Sequence, residues 1–141
     1  MAFTEIKKVA VLGAGTMGHG IAELLAMSGI EVTMVDINDE FLAKAMEKIK
    51  WSLDKFVEKK RFRREDADAA LARIGTTTSY DEAARDVDLA VEAVPEIMDL
   101  KRKVFTKLDE VSPAHAILAS NTSALSITEM ANATKRPDKV A

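Results

Sequence analysis

Cysteine is absent from the 141 residues. That excludes disulfides, thiolate zinc sites and a cysteine nucleophile together. It fits a reducing compartment, and the expected location is cytoplasmic. Histidine is scarce, with only His19 and His115. No apolar run approaches the ~20 residues a membrane-spanning helix needs. Met1-Ala2-Phe3-Thr4-Glu5 has neither a basic nor an apolar stretch, so no signal peptide is expected. A net charge of −3 offers no electrostatic reason to bind nucleic acid.

What remains is a globular composition, 48% hydrophobic and 30% charged, sized for one domain over residues 1–141. Its charge is uneven. From Lys44 to Arg64 nine basic residues face only Glu47, Asp54 and Glu58. A local anionic partner or a solvated helix face would account for this equally.

The apolar pattern alternates between short strands and helices. Strands are expected at Ile6–Leu12, Glu31–Asp36, Ile74–Thr78, Leu89–Val94 and Ala116–Ala119. Between them come helices at Thr16–Met27, from Asn38 as N-cap to about Lys60, Glu65–Arg73, Asp81–Arg85, Asp99–Val111 and Ser126–Ala133. In the long second helix Leu42, Met46, Ile49, Leu53 and Phe56 keep one stripe toward a core. Such alternation predicts an α/β doubly wound parallel sheet, a Rossmann fold with helices on both faces. Arg136–Ala141 reads as a turn entering a sixth strand, so the sheet is expected to be truncated at that point. The fifth strand would then be an exposed edge, open to self-association.

Gly13-Ala14-Gly15-Thr16-Met17-Gly18 follows a strand, opens a helix and is answered by Asp36, 21 residues after Gly15. Those three conditions together point to a dinucleotide. Gly13 permits the turn, Gly15 lets a pyrophosphate approach, and Gly18 lets helix and strand pack closely. The helix N-terminus supplies free N–H groups and a favourable dipole. Asp36 would accept ribose hydroxyls and repel a 2′-phosphate, and Asn38 rather than an arginine follows it, so the expected cofactor is NAD. Ser120-Asn121-Thr122-Ser123 at the end of the fifth strand offers ligand groups or, equally, turn and cap residues. Glu92 sits oddly inside an apolar strand and receives no role. Neither histidine has an evident carboxylate partner. Trp51 and the seven methionines are expected in core or interface.

Val9–Gly18, Asp36, Val91-Glu92-Ala93-Val94-Pro95-Glu96, Lys101 and Ala119–Ser123 together resemble the NAD-binding domain of the 3-hydroxyacyl-CoA dehydrogenases, in a bacterial or archaeal style. The resemblance covers essentially the whole chain, and its Ser-Asn-Thr-Ser segment is its most specific part. It implies reversible oxidation of an L-3-hydroxyacyl-CoA to the 3-oxoacyl-CoA, as in fatty acid β-oxidation. It implies NAD contacts at Glu96 and Lys101, and a place near nicotinamide and the substrate 3-oxygen for Ser123, with Asn121 in support. It further implies coenzyme A contacts at Ser52 and Lys59, with Lys59-Lys60-Arg61 and Arg63-Arg64 toward phosphates. The family's catalytic histidine, in a Gly-Leu-His-Phe-Phe-Asn-Pro-like segment, and its glutamate partner match positions after Ala141. The expectation is therefore part of a longer enzyme with a helical C-terminal domain, a fusion to an enoyl-CoA hydratase being one form of it, and little turnover by these residues alone. An NAD-dependent dehydrogenase of a hydroxy acid or sugar, and a non-catalytic nucleotide-binding module, stand as alternatives.

Overall fold

The computed structural model describes residues 5–141, so Met1–Thr4 of the N-terminal reading lie outside it. In chain order the elements are β1 (Lys8–Leu12), α1 (Thr16–Met27), β2 (Glu31–Val35), α2 (Asp39–Glu58), α3 (Arg64–Ala72) and β3 (Ile74–Thr77). There follow α4 (Tyr80–Ala84), β4 (Leu89–Glu92), α5 (Met98–Val111), β5 (Ile117–Ser120) and α6 (Ile127–Asn132). All five strands are parallel, in the order β3-β2-β1-β4-β5. This is the doubly wound fold expected from the sequence.

The two cores follow from strand alternation. Val9 and Val11 of β1 and Val32 and Met34 of β2 face α1, α2 and α3. Ala10, Leu12 and Val35 point the other way, with Leu118, toward α4, α5 and α6. Covering both faces is why these strands read as continuous apolar runs rather than alternating ones. Asn38 caps α2 as expected, its side chain accepting the Phe41 N–H. Leu42, Ile49 and Leu53 bury their stripe, whereas Met46 is half-buried and Phe56 only partly enclosed. Of the two places expected for Trp51, the core is excluded: it is 65% exposed and lies near the Lys55 ammonium. Among the described residues no helix is long and apolar enough to cross a membrane.

The chain's last residues change the picture of the sheet edge. Pro137–Lys139 forms a single 3₁₀ turn, after which Val140 bridges Leu118 in parallel. Ala141 donates its N–H to Leu118 O and accepts from Ser120 N at 3.0 and 2.8 Å. The expected sixth strand thus begins beside β5, and the β5 edge is partly covered rather than open. Arg136 anchors this passage, its guanidinium spanning Asp109 Oδ1 and the carbonyls of Asp109, Ser112, Pro113 and Ala116.

At the amino end of the sheet, Asp88 ties three segments together. Its carboxylate accepts the N–H groups of Lys7 and Lys8 at 2.9 and 3.1 Å and meets His115 Nε2 at 2.9 Å. His115 therefore has a carboxylate partner, contrary to expectation. The two residues lie 27 apart, and only the β4–β5 crossover brings them together. Those bonds, the Lys7 N–H foremost and then His115 and the Lys8 N–H, hold the Asp88 carboxyl down at about 2. A carboxylate depressed on folding stabilises above its unfolded value and loses that contribution as pH falls through its folded value. Asp88→Asn should cost about 1 kcal/mol at neutral pH, solvent screening reducing the full effect of the shift. Chemical denaturation as a function of pH should show wild type and variant converging between pH ~4 and ~2.

Candidate functional site

Sheet order reverses between β1 and β4, so their carboxyl ends diverge into a crevice. A cavity of about 1050 Å³ opens there. The glycine loop forms one wall. Gly13 has φ +103°, and a Cβ there would stand 2.6 Å from Ala93 O, so this turn admits only glycine. A Cβ on Gly18 would stand 1.8 Å from Gly13 O, which is the close helix–strand packing expected of the third glycine. Gly15 differs: a Cβ there meets nothing within 4 Å and points into open space. It is also the N-cap of α1, with no side-chain cap and no acidic residue in the first turn. Ala14, Thr16 and Met17 line the same wall. Uncapped N–H groups beneath open space, with no acidic side chain in the helix's own first turn, fit a dinucleotide pyrophosphate.

Asp36 stands at the end of β2, on the rim of the same cavity. Its Oδ2 accepts the Ala14 N–H at 2.8 Å and its Oδ1 the Ile37 N–H at 2.6 Å. Each oxygen retains a lone pair for a sugar hydroxyl. Ile37, Phe41, Lys44 and Lys48 extend the wall along the start of α2. Tyr80, which sequence reasoning passed over, lies there too; burial first, then the Asp36 and Glu92 carboxylates, pushes its phenol above the ordinary value. It stays a protonated donor throughout the physiological range.

The opposite wall comes from the ends of β4 and β5 and contains the largest surprise. Glu92 is completely buried and Lys101 is 1% exposed. Lys101 Nζ lies 2.5 Å from Glu92 Oε2, 3.1 Å from Val94 O and 3.0 Å from Glu96 Oε1. All three ammonium protons are thereby engaged. Glu92 Oε2 also accepts the Val94 N–H, and its Oε1 accepts the Ser120 hydroxyl at 2.6 Å. Ser120 Oγ accepts the Thr122 N–H at 3.1 Å, and Thr122 Oγ1 donates to Glu96 Oε2 at 2.7 Å. Glu92, Lys101, Glu96, Thr122 and Ser120 thus close a ring across the two strand ends. The Thr122 hydroxyl and then the Lys101 ammonium hold the half-exposed Glu96 carboxyl below its ordinary range. Buried charge survives only when paired and fully hydrogen-bonded, and this ring achieves both.

The structure therefore gathers Gly13, Ala14, Gly15, Thr16, Met17, Asp36, Glu96, Lys101, Asn121 and Ser123 around one cavity. Gly18 stands behind the wall. Ser52 and Lys59 do not reach it; they lie farther along α2, Ser52 half-buried and Lys59 exposed at the helix end. Of the basic segment, Arg63 pairs with Asp66 at 3.0 Å and Arg64 with Asp54 at 2.7 Å. Those two guanidiniums match the solvated-helix reading better than a phosphate role. Neither histidine lines the cavity. His19 Nδ1 is 2.7 Å from Gly15 O, and His115 sits at the other end of the sheet with Asp88.

Residues 8–141 match the family described as 3-hydroxyacyl-CoA dehydrogenase, NAD binding domain. The chain belongs to that family. It is 40% identical over 136 residues to a probable 3-hydroxybutyryl-CoA dehydrogenase of Bacillus subtilis, covering 96% of this chain and 47% of that protein. It is 41% identical over 142 residues to the human mitochondrial hydroxyacyl-coenzyme A dehydrogenase, covering 96% and 45%. The crystal structure of (S)-3-hydroxybutyryl-CoA dehydrogenase from Ralstonia eutropha superposes with a TM-score of 0.92 at 41% identity, covering 96% of this chain and 48% of that one. The chain thus spans about half the length of these relatives. The cavity belongs to an NAD-binding domain of this family, and its cofactor is NAD.

Proposed function

We propose that this chain holds NAD for the reversible oxidation of an L-3-hydroxyacyl-CoA. The observation that carries the reading is the meeting of two independent motifs on one cavity, the glycine loop with Asp36 and the Glu96–Lys101–Ser123 wall. NAD supplies the hydride acceptor. The α1 N-terminus holds the pyrophosphate, and Gly15 leaves room for it. Asp36 accepts ribose hydroxyls. Glu96, kept ionised by Thr122 and Lys101, is the acceptor that faces the cavity from the far wall. Ser123 and Asn121 present hydroxyl and amide groups at the same end, where the nicotinamide and the substrate oxygen would be oriented. Lys44 and Lys48 bring positive charge to the cavity rim, and Ser52 and Lys59 lie farther out on the same helix. Together they form a track for the phosphates of coenzyme A. The base that takes the hydroxyl proton is not one of this chain's two histidines, since both are turned elsewhere.

Titration by intrinsic fluorescence or calorimetry tests the reading. NADH should bind at least about tenfold more tightly than NADPH, because Asp36 opposes a 2′-phosphate. Equal affinity for both would remove the role given to Asp36. Acetoacetyl-CoA should bind, whereas a dehydrogenase of sugars or simple hydroxy acids would ignore it. Steady oxidation of NADH by acetoacetyl-CoA should stay near background; a rate normal for such enzymes would show that a base had been overlooked.

A further inference from the structure

We propose that Glu92, which touches neither the cavity nor any ligand position on it, is a positioning residue that fixes Glu96 and the Ser120–Ser123 loop in their working arrangement. This rests on the NAD-site reading above and deepens it.

The carboxylate of Glu92 has two ends, and each governs one wall segment. Through Oε2 it holds Lys101 Nζ at 2.5 Å. Lys101 in turn holds Glu96 Oε1 at 3.0 Å, half-exposed on the cavity. Through Oε1 it takes the Ser120 hydroxyl at 2.6 Å, which leaves Ser120 Oγ free to accept the Thr122 N–H at 3.1 Å. Its main-chain carbonyl also accepts the Asn121 N–H at 2.8 Å. The two arms rejoin where Thr122 Oγ1 donates to Glu96 Oε2. Glu96 is therefore gripped on both oxygens by groups whose own positions trace to Glu92. Lys101, 1% exposed and with three acceptors already, has no proton to offer a ligand without releasing one of them. Its influence on the cofactor passes through Glu96, and that of Glu92 passes through Lys101 and Ser120.

A carboxylate is required for this arrangement. A glutamine at position 92 has one acceptor oxygen, so its N–H₂ must face either the Lys101 ammonium or the Ser120 hydroxyl. Donor order along one arm is then reversed, and Glu96 becomes the sole carboxylate partner of Lys101.

The test is Glu92→Gln, Lys101→Met and the double variant, each titrated with NADH. Glu92→Gln should weaken NADH binding by about tenfold, the weight of one displaced charge-assisted hydrogen bond. Adding Glu92→Gln to Lys101→Met should weaken it little further, because both act on one contact. Carbon-detected NMR titration of Glu96 supplies a signature that a merely structural Glu92 would not move. Its carboxyl should titrate lower in Glu92→Gln, where Lys101 serves it alone and a neighbouring negative charge is gone. Wild-type NADH affinity in Glu92→Gln, or an unmoved Glu96 titration, overturns the proposal. Should Glu92→Gln not fold, Ser120→Ala decides, since it cuts the Oε1 arm of Glu92 and leaves the buried ion pair intact. NADH should then bind about tenfold more weakly; wild-type affinity overturns the proposal. A wild-type chain that fails to bind NADH strikes at the NAD-site reading itself, whereas tight wild-type binding with unchanged variants strikes at Glu92 alone.

Discussion

Gly15→Asp is expected to lower NAD affinity at least about a hundredfold while leaving the fold as stable as before. The two effects separate because of what surrounds Gly15. Its φ of −72° and ψ of −162° are available to any residue, and a Cβ meets nothing within 4 Å. As N-cap of α1 it now contributes no side-chain bond, so an aspartate could accept an N–H of the first turn and favour the helix dipole. Stability should hold or rise by a few tenths of a kcal/mol. The same carboxylate would stand where the proposed site puts the pyrophosphate. At ~4 Å and an effective dielectric near 20, each like-charge contact costs about 4 kcal/mol, more than enough for two decades of affinity. Thermal melting paired with NADH titration checks both halves. A variant that melts much lower would show that Gly15 is needed by the fold rather than by the ligand. Gly18→Ala supplies the contrast: its Cβ would fall 1.8 Å from a main-chain oxygen, so there the fold itself should fail.

Lys101→Met should cost ~3–5 kcal/mol of folding free energy, the largest stability loss expected from a single charged residue here. The length and apolar stem of lysine are nearly preserved, so the loss is electrostatic. Glu92, fully buried, would retain Ser120 and the Val94 N–H but lose its counter-ion. Melting temperature should fall by roughly 10–20 °C. Glu92→Gln should cost less, because the stranded ammonium keeps the Glu96 carboxylate at 3.0 Å. Reversal of that order, measured by thermal or urea denaturation, would mean that Glu96 does not support the ammonium as the geometry implies.

Legibility in the sequence followed the range of the interactions. The parallel sheet and its helices were readable because apolar periodicity is a local signal, and boundaries moved by only a residue or two. β4 shows why even those move. Leu89–Val94 reads as a strand, yet β4 ends at Glu92, where the side chain folds back to take the Val94 N–H. The glycine loop and Asp36 were readable because a tight turn, room for a phosphate, close packing and an acid for the sugar recur at fixed offsets. Glu96, Lys101, Asn121 and Ser123 came instead from family resemblance, and the cavity unites them. Glu92 stayed opaque because its partners, Lys101 and Ser120, lie nine and 28 residues away, within and beyond the β4–β5 crossover. The Asp88–His115 pair was hidden for the same reason, 27 residues apart. The basic segment misled most. Composition cannot distinguish Lys48, which reaches the cavity, from Arg64, which turns back to Asp54.

The bond from the Ala14 N–H to Asp36 has a consequence for engineering. Asp36 orders the glycine loop ahead of any ligand, so part of the entropic cost of closing that loop around a dinucleotide is met during folding. On the proposed site, one carboxylate would therefore both choose the sugar and preorganise the loop beneath the phosphates. Exchanging it to admit a 2′-phosphate would release Ala14 as well as the charge. Redesign toward NADP should accordingly lose affinity for both dinucleotides until a second substitution restores an acceptor for that single amide.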